Sequence, residues 1–360
     1  MHRVFARQWA RIWQLATVDI TIKGAGIFGL SIAFECVRQG ARVRVIDPNR
    51  PGGGASGGVV GALAPHTPER WEPKKQFQLE SLLMAEGFWH DVDQISGRSS
   101  GYGRTGRLQP IADENLLALS HERAHASLAL WHGHATWQVR PQDDFGAWVP
   151  SSPTGWLVYD TLTARIDPMR ACQSLAAALT KMGADITSGG PEQGQVIWAT
   201  GYQGLLDLSA AFRTEVGNGV KGQAALFKFD AGDTPQVFTT GIHFIPHNNG
   251  TLGIGSTSER YWNGADTTDD QLDALIDRAR QLCPSLVNAP LLAKWAGVRP
   301  RAKTRAPILG EYPDKPGHFI ANGGFKIGFG MAPKVSAIMA NLVLNGVNDI
   351  PAEFSVAANL

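Results

Sequence analysis

The chain has almost no net charge, no paired cysteines and no long apolar run. Lys plus Arg number 33 against 32 Asp plus Glu, a net charge of +1. That balance argues against a dedicated nucleic-acid binder, which needs a basic surface. The three cysteines, Cys36, Cys172 and Cys283, lie far apart, and no C-x-x-C occurs. Neither a disulfide framework nor a thiolate zinc site is indicated, and a reducing cytoplasm is the simplest compartment. No apolar stretch approaches the roughly 18 residues of a membrane span. With 43% hydrophobic and 18% charged residues, the chain is not disordered.

What is present is ample. A chain of 360 residues suggests two domains and a large core. Its 41 glycines and 21 prolines exceed an average share and point to many tight turns or a backbone close to a ligand. Residues 1–16 carry Arg3, Arg7 and Arg11 at helical spacing, with Trp9 and Trp13 and no acid. They lack the apolar centre of a secretory signal. They read as an N-terminal extension, with an amphipathic surface helix or a targeting segment as alternatives.

The first clear element is a strand at Val18 to Ile22. It leads into G-A-G-I-F-G, with Gly24, Gly26 and Gly29, and then a helical pattern that ends at Gly40. A second strand, Arg42 to Ile46, ends in Asp47. This is the β-α-β context in which G-x-G-x-x-G marks a dinucleotide site. Gly24 allows the tight turn, Gly26 the close approach of a pyrophosphate, and Gly29 the packing of helix on strand. The helix N-terminus offers N–H groups to phosphate. Asp47, 18 residues after Gly29, suits a ribose and repels a 2′-phosphate, so FAD or NAD is expected rather than NADP.

An uncharged run of small residues occupies Pro51 to His66. It reads as a loop that lets backbone pass close to something flat or charged. Further on, helices are expected over Gln76–Ile95, Asn115–Trp131, within Thr161–Met182 and over Asp269–Leu282. A buried strand runs from Gln195 into Ala199-Thr200-Gly201. Residues 218–260 read as β-rich, with strands at Ala224–Phe229, Gln236–Thr240, His243–Pro246 and Thr251–Ser256. Near the end come a strand at His318–Ala321, a Gly-rich turn and a helix from about Pro333 to Leu344.

From Val18 onward the chain resembles the D-amino-acid oxidase, glycine oxidase and sarcosine oxidase family of FAD-dependent oxidoreductases, most of all glycine oxidase. Five motifs carry the resemblance, in the family's order. They are G-A-G-I-F-G with Asp47, G-A-S-G-G-V-V-G-A-L-A-P (Gly54 to Pro65), A-T-G (Ala199 to Gly201), G-V-R-P (Gly297 to Pro300) and G-G-F-K-I-G-F-G-M-A-P (Gly323 to Pro333). The resemblance implies an α/β fold, α+β overall: a Rossmann-like FAD-binding domain beside a substrate domain with a mainly antiparallel sheet. On that pattern the FAD domain takes residues 17–85, 156–215 and 290–360, and the substrate or cap domain 86–155 and 216–289.

The resemblance also implies the site. Gly24, Gly26, Ile27, Phe28, Gly29 and Asp47 match the pyrophosphate and ribose site. Ala55, Ser56, Gly57, Val60, Gly61 and Ala62 match the second motif, which passes the pyrophosphate and the flavin ring. Thr200 and Gly201 close the FAD domain. Gly323, Gly324, Phe325, Lys326, Ile327 and Gly328 match the turn by which the chain returns to the flavin. Arg299 matches the arginine that binds the substrate carboxylate. Lys326 matches a cationic position that either helps bind carboxylate or lies beside the flavin. His243 stands where glycine oxidase has a substrate-contacting tyrosine.

The implied reaction is oxidation of the C–N bond of a small amino acid or N-alkyl glycine. The flavin accepts a hydride and water hydrolyses the imine. A carboxylate in a dry pocket calls for a cation, and the planar fork of arginine suits it best. Oxygen or another acceptor takes the electrons, no nucleic acid or membrane is engaged, and homo-oligomer formation stays open. Three departures stand out. The span from Gly183 to the A-T-G strand is short for the family's β-meander, which leaves the covering of the adenine open. No cysteine lies near Ala306, where sarcosine oxidases link flavin covalently, so non-covalent FAD is expected. Gly253 falls where sarcosine oxidases carry a lysine associated with oxygen activation.

Other readings compete. The first 50 residues alone fit an NAD-dependent dehydrogenase equally well. An FAD-dependent dehydrogenase that does not use oxygen, or a flavin-binding subunit of a larger assembly, fits the whole chain. His121-Glu122-Arg123-Ala124-His125 is a literal H-E-x-x-H on an expected helix, the pattern of a zinc hydrolase. The metzincin continuation would need Gly where Leu128 stands, and the next glutamate is Glu192. No metal is therefore expected.

Overall fold

The computed structural model describes residues 18–360. The expectation for residues 1–16 lies outside them. Among the described residues the helices are α1 (Ile27–Arg38), α2 (Pro73–Ser96), α3 (Glu114–Leu130), α4 (Pro168–Lys181), α5 (Gly201–Phe212), α6 (Asp270–Leu282) and α7 (Gly328–Asn345). Short polar residues start several of them. The side chains of Asp113, Asp167 and Asp269 accept the N–H groups of Leu116, Arg170 and Gln271, which satisfies donors that a first helical turn leaves open. Among the described residues no helix is long and apolar enough to cross a membrane.

One sheet has six strands. Their order is Ile308–Glu311, His318–Asn322, Gln195–Trp198, Ile20–Lys23, Val43–Ile46 and Asp185–Thr187. The last five run parallel and the first is antiparallel at the edge. Ile20, Ile22, Val43, Val45, Ile197 and Phe319 share one core with α1, α2, α4 and α7. On the opposite face Ile308 and Ile320 pack with Leu205 and Leu208 of α5. The short segment after Gly183 forms only the strand Asp185–Thr187 before the chain reaches Gln195. Its last residues lie on the sheet face opposite α1, where Thr21 points. Gln193 brackets Thr21, accepting from its hydroxyl at 2.7 Å and donating to it at 2.9 Å. Glu192 pairs with Lys23 at 3.3 Å.

The second sheet has eight strands, in the order Leu291–Ala302, Gly217–Lys228, Thr251–Gly255, Ile242–Pro246, Gln236–Thr239, Arg107–Pro110, Trp156–Asp160 and Trp137–Pro141. All neighbours are antiparallel except the pair Gln236–Thr239 and Arg107–Pro110. The two-residue period of a strand sorts its faces. Ala225, Phe227, Phe244, Leu252 and Ile254 pack on Leu272, Ile276 and Ala279 of α6. The alternate residues, Gly222, Ala224, Gly253, Gly255 and His243, look the other way, toward the Gly-rich loop. Helix α2 crosses the boundary expected at residue 85, and the strands at 156–160 and 291–302 belong to this second sheet.

The expected elements form, and the strands Leu291–Ala302 and Ile308–Glu311 lie where none is expected. The strand expected at Ala224–Phe229 runs from Gly217 to Lys228. Helix α5 begins at Gly201, where the sequence pattern shows only a strand end. Helix α7 begins at Gly328, with Pro333 inside it. A proline reads as a first helical position, but here the preceding Gly-rich turn is already helical, and a Cβ on Gly330 would stand 3.3 Å from Leu82 Cδ2.

Candidate active site

Gly24 and Gly29 are dictated by the surrounding backbone. Gly24 has φ +110°, and a Cβ there would stand 2.3 Å from the Ala199 carbonyl oxygen. A Cβ on Gly29 would stand 1.9 Å from the carbonyl oxygen of Gly24. Gly26 differs. Its backbone is extended, and a Cβ would meet only Ser56 Oγ at 3.3 Å. The side chain within reach of the α1 N-terminus is that of Ser56. Asp47 accepts the Ala25 N–H at 2.7 Å and the Asn49 N–H at 2.8 Å.

The second motif is stitched to that turn at one end and to the eight-stranded sheet at the other. Gly52 donates to Ala25 O at 2.9 Å, and the Ser56 hydroxyl accepts from Ile27 N–H at 3.0 Å. A Cβ on Gly57 would fall 2.2 Å from Gly52 O, and one on Gly61 2.1 Å from Ile166 O. Beyond Ala55–Gly57, Val59 O lies 3.1 Å from His247 Nε2, so that nitrogen carries the donated proton. Val60 reaches within 3.1 Å of a Cβ position on Gly255, and Ala62 pairs with Arg165. No side chain fits at Gly253, because a Cβ would stand 1.9 Å from Val59 O.

The C-terminal turn closes on both motifs. Gly323 has φ +78° and packs against Ala302. A Cβ on Gly324 would meet the Phe28 ring at 3.0 Å, and one on Gly328 would meet Ile27 at 3.5 Å. Ile327 caps the start of α7. Phe325 donates its N–H to Pro300 O at 3.0 Å, which ties this turn to G-V-R-P. Thr200 and Gly201 sit just past Ala199, at the start of α5, where Asn322 donates to Gly201 O at 2.9 Å.

Arg299, Lys326 and His243 come together over the small-residue face. Arg299 crosses Gly222, where a Cβ would stand 2.2 Å from Nη2. Its Nη1 donates to Ser256 Oγ at 2.8 Å, and its Nη2 to Thr257 O at 2.7 Å and Lys221 O at 3.2 Å. Its Nε is buried without a partner. Burial draws its pKa down to about 10, partly offset by the charge of Glu259. The Phe325 ring lies 5.9 Å from the Arg299 guanidinium and 5.7 Å from the Lys326 ammonium. The protein around that ammonium, and then the Arg299 charge, lowers the Lys326 pKa. His243 stands opposite Gly255 and against Phe238. Its Nδ1 is buried without a partner.

Burial pushes His243 down to about 3, with Arg107 and Lys326 adding to the effect. The folded imidazole is neutral near pH 7 and a weak base. In the unfolded chain it takes a proton near 6.5, so its stabilising contribution is complete above pH 6.5 and is lost as pH falls toward 3. His243→Phe should lose less Tm than the parent between about pH 6.5 and 4. Parallel Tm curves would show that this ring does not titrate on unfolding.

His121, Glu122 and His125 lie along α3 with exposed side chains, and no group of three metal-ligating side chains forms among the described residues. Sequence reading missed Ser256 and Thr257, which hold Arg299, and Trp295, whose ring packs against the Cβ positions of Gly58 and Gly297 at 3.3 and 2.5 Å. It also missed Lys221 and Glu259 behind Arg299. None lies in a glycine motif, and only the strand register places them.

Comparison with known proteins agrees with this architecture. The family described as DAO, FAD dependent oxidoreductase, matches residues 19–342. Glycine oxidase of Geobacillus kaustophilus is 24% identical over 90% of this chain and 92% of its own length. The crystal structure of glycine oxidase from that organism superposes with a TM-score of 0.80 at 21% identity, over 94% of this chain and 98% of that one. L-proline dehydrogenase from P. horikoshii superposes with a TM-score of 0.79 at 19% identity, over 94% and 96%. An open N-terminus on α1, a glycine loop joining two sheets and a match over most of its length lead to one assignment: the chain belongs to the DAO family of FAD-dependent oxidoreductases.

Proposed function

We propose that this protein oxidises the C–N bond of a small amino acid or N-alkyl glycine. The observation that carries this reading is Arg299, a buried cation with an unpartnered Nε, set beside a face of small residues. A substrate carboxylate on that fork places the neighbouring C–N bond over Ala224 and Gly255. Lys326 adds a second positive charge, and the neutral ring of His243 closes the far side. The neutral ring of His243 is too weak a base to take a proton from an ammonium, so it does not act as the general base.

FAD supplies the hydride acceptor when bound. Gly24, Gly26, Ile27, Phe28 and Gly29 would meet its pyrophosphate, Asp47 a ribose, and Ser56, Val60, Gly61 and Ala62 its middle. Thr200 and the Gly323–Gly328 turn complete that set. The acid at 47 supports a ligand without a 2′-phosphate. Non-covalent attachment is supported by the cysteines. All three are buried, and burial pushes Cys36 and Cys172 up to about 12, far from the reactive thiolate range. The free thiols also fit a reducing cytoplasm. The FAD unit is proposed to centre on the parallel sheet and the substrate unit on the antiparallel one.

The visible spectrum of the purified protein tests this. We expect flavin absorbance that passes into the supernatant on acid precipitation, and bleaching by small amino acids without oxygen. A colourless protein that added FAD cannot turn yellow would overturn the reading. Reoxidation by oxygen and by an artificial dye, compared side by side, reads the acceptor. The side-chain-free Gly253 favours keeping the dehydrogenase alternative in that assay.

A further inference from the structure

Behind Arg299 lies a buried ionic cluster that the proposed reaction does not use. Lys221 is 1% exposed and Glu259 7%. As an ion pair they are loosely made, because Lys221 Nζ and Glu259 Oε2 are 4.0 Å apart and Oε2 has no hydrogen-bond partner. Buried charges of this kind rarely stabilise a fold. The other carboxylate oxygen is fully engaged. Glu259 Oε1 accepts from Gln223 Nε2 at 3.0 Å and, by a short bond, from the Thr257 hydroxyl.

Those bonds frame the acceptors of Arg299. Lys221 and Glu259 exchange backbone hydrogen bonds at 3.0 and 2.9 Å. The Lys221 carbonyl thus takes both the Glu259 N–H and Arg299 Nη2. The Thr257 carbonyl takes Arg299 Nη2, while the Thr257 hydroxyl is held by Glu259. Of the three groups that receive Arg299, the Glu259 carboxylate therefore holds Thr257, and the Glu259 backbone N–H holds the Lys221 carbonyl. Glu259 is also the acid whose charge acts on that guanidinium.

We propose that Glu259 is the positioning residue of Arg299: it fixes the guanidinium for the substrate carboxylate by holding Thr257 and Lys221. This rests on Arg299 binding that carboxylate. The Glu259→Gln variant, as the FAD-loaded enzyme, should bind acetate about tenfold or more weakly, read from the flavin spectrum. The KM for its amino-acid substrate should rise in step, while kcat at saturation stays within about twofold, because Glu259 touches no reacting atom. Glu259→Asp should recover part of the affinity.

The double variant Lys221→Met with Glu259→Met separates positioning from charge balance. It removes both buried charges at similar volume, so a merely structural pair predicts parent-like acetate binding. We expect binding to stay weak with flavin retained. Parent-like acetate affinity in either variant would overturn the proposal, and the double variant decides if Glu259→Gln fails to fold. A parent enzyme whose flavin never responds to acetate would sink the Arg299 reading itself, and this proposal with it.

Discussion

Arg299→Ala should give a yellow protein that has lost nearly all activity toward amino acids. Removing one partner of a buried charge-assisted contact costs about 2–5 kcal/mol. That corresponds to a fall in kcat/KM on the order of 30- to 5,000-fold, carried mainly by KM. The flavin should stay, because Arg299 bonds only to Ser256, Thr257 and Lys221, on the sheet side of the glycine loop. Arg299→Lys should recover little, since a point charge cannot replace a fork with fixed geometry. Steady-state kinetics together with the flavin-to-protein absorbance ratio checks this. A colourless Arg299→Ala would show that the residue supports the fold and not the substrate.

Gly26→Val should keep its melting temperature and lose flavin, whereas Gly29→Ala should lower the melting temperature. The two glycines lie three residues apart in one motif, but they answer to different neighbours. At Gly26 the backbone is extended and the nearest obstacle is a hydroxyl at 3.3 Å, so a side chain is accommodated and fills the space before the helix N-terminus. At Gly29 a Cβ would lie 1.9 Å from backbone oxygen, and relieving that overlap costs roughly 1–3 kcal/mol or more. Thermal melts of the two variants with and without added FAD separate the cases. A Gly26→Val protein that stays yellow would end the pyrophosphate assignment.

The contrast also shows what a sequence can disclose. Spacing named all three glycines of the first motif, because a dinucleotide turn repeats the same backbone. It could not rank them, because the ranking depends on Ala199, Gly24 and Ser56 in space. The long helices and the parallel sheet were legible from period and order. The start of α7 was not, because a proline at 333 masks a turn already made helical by packing. Arg299, Lys326 and His243 came from resemblance; the strand register places Arg299 and His243, and the bond from Phe325 N–H to Pro300 O brings in the turn that carries Lys326. Arg299 lies opposite Val220, and Ala224 and His243 both lie opposite Gly255. The acceptors of Arg299 come from a loop and a strand with no motif, so nothing in the sequence marks them.

The glycine loop from Gly52 to Ala62 is held at both ends and by different sheets: by Ala25 at one end and by His247 and Gly253 at the other. A ligand lying along it is therefore linked to global stability and not merely to a local pocket. By mass action, free ligand at about a hundred times its dissociation constant stabilises the folded chain by roughly 2.7 kcal/mol. Cofactor supply in the cell then governs how much of this protein survives proteolysis, as well as how much of it is active.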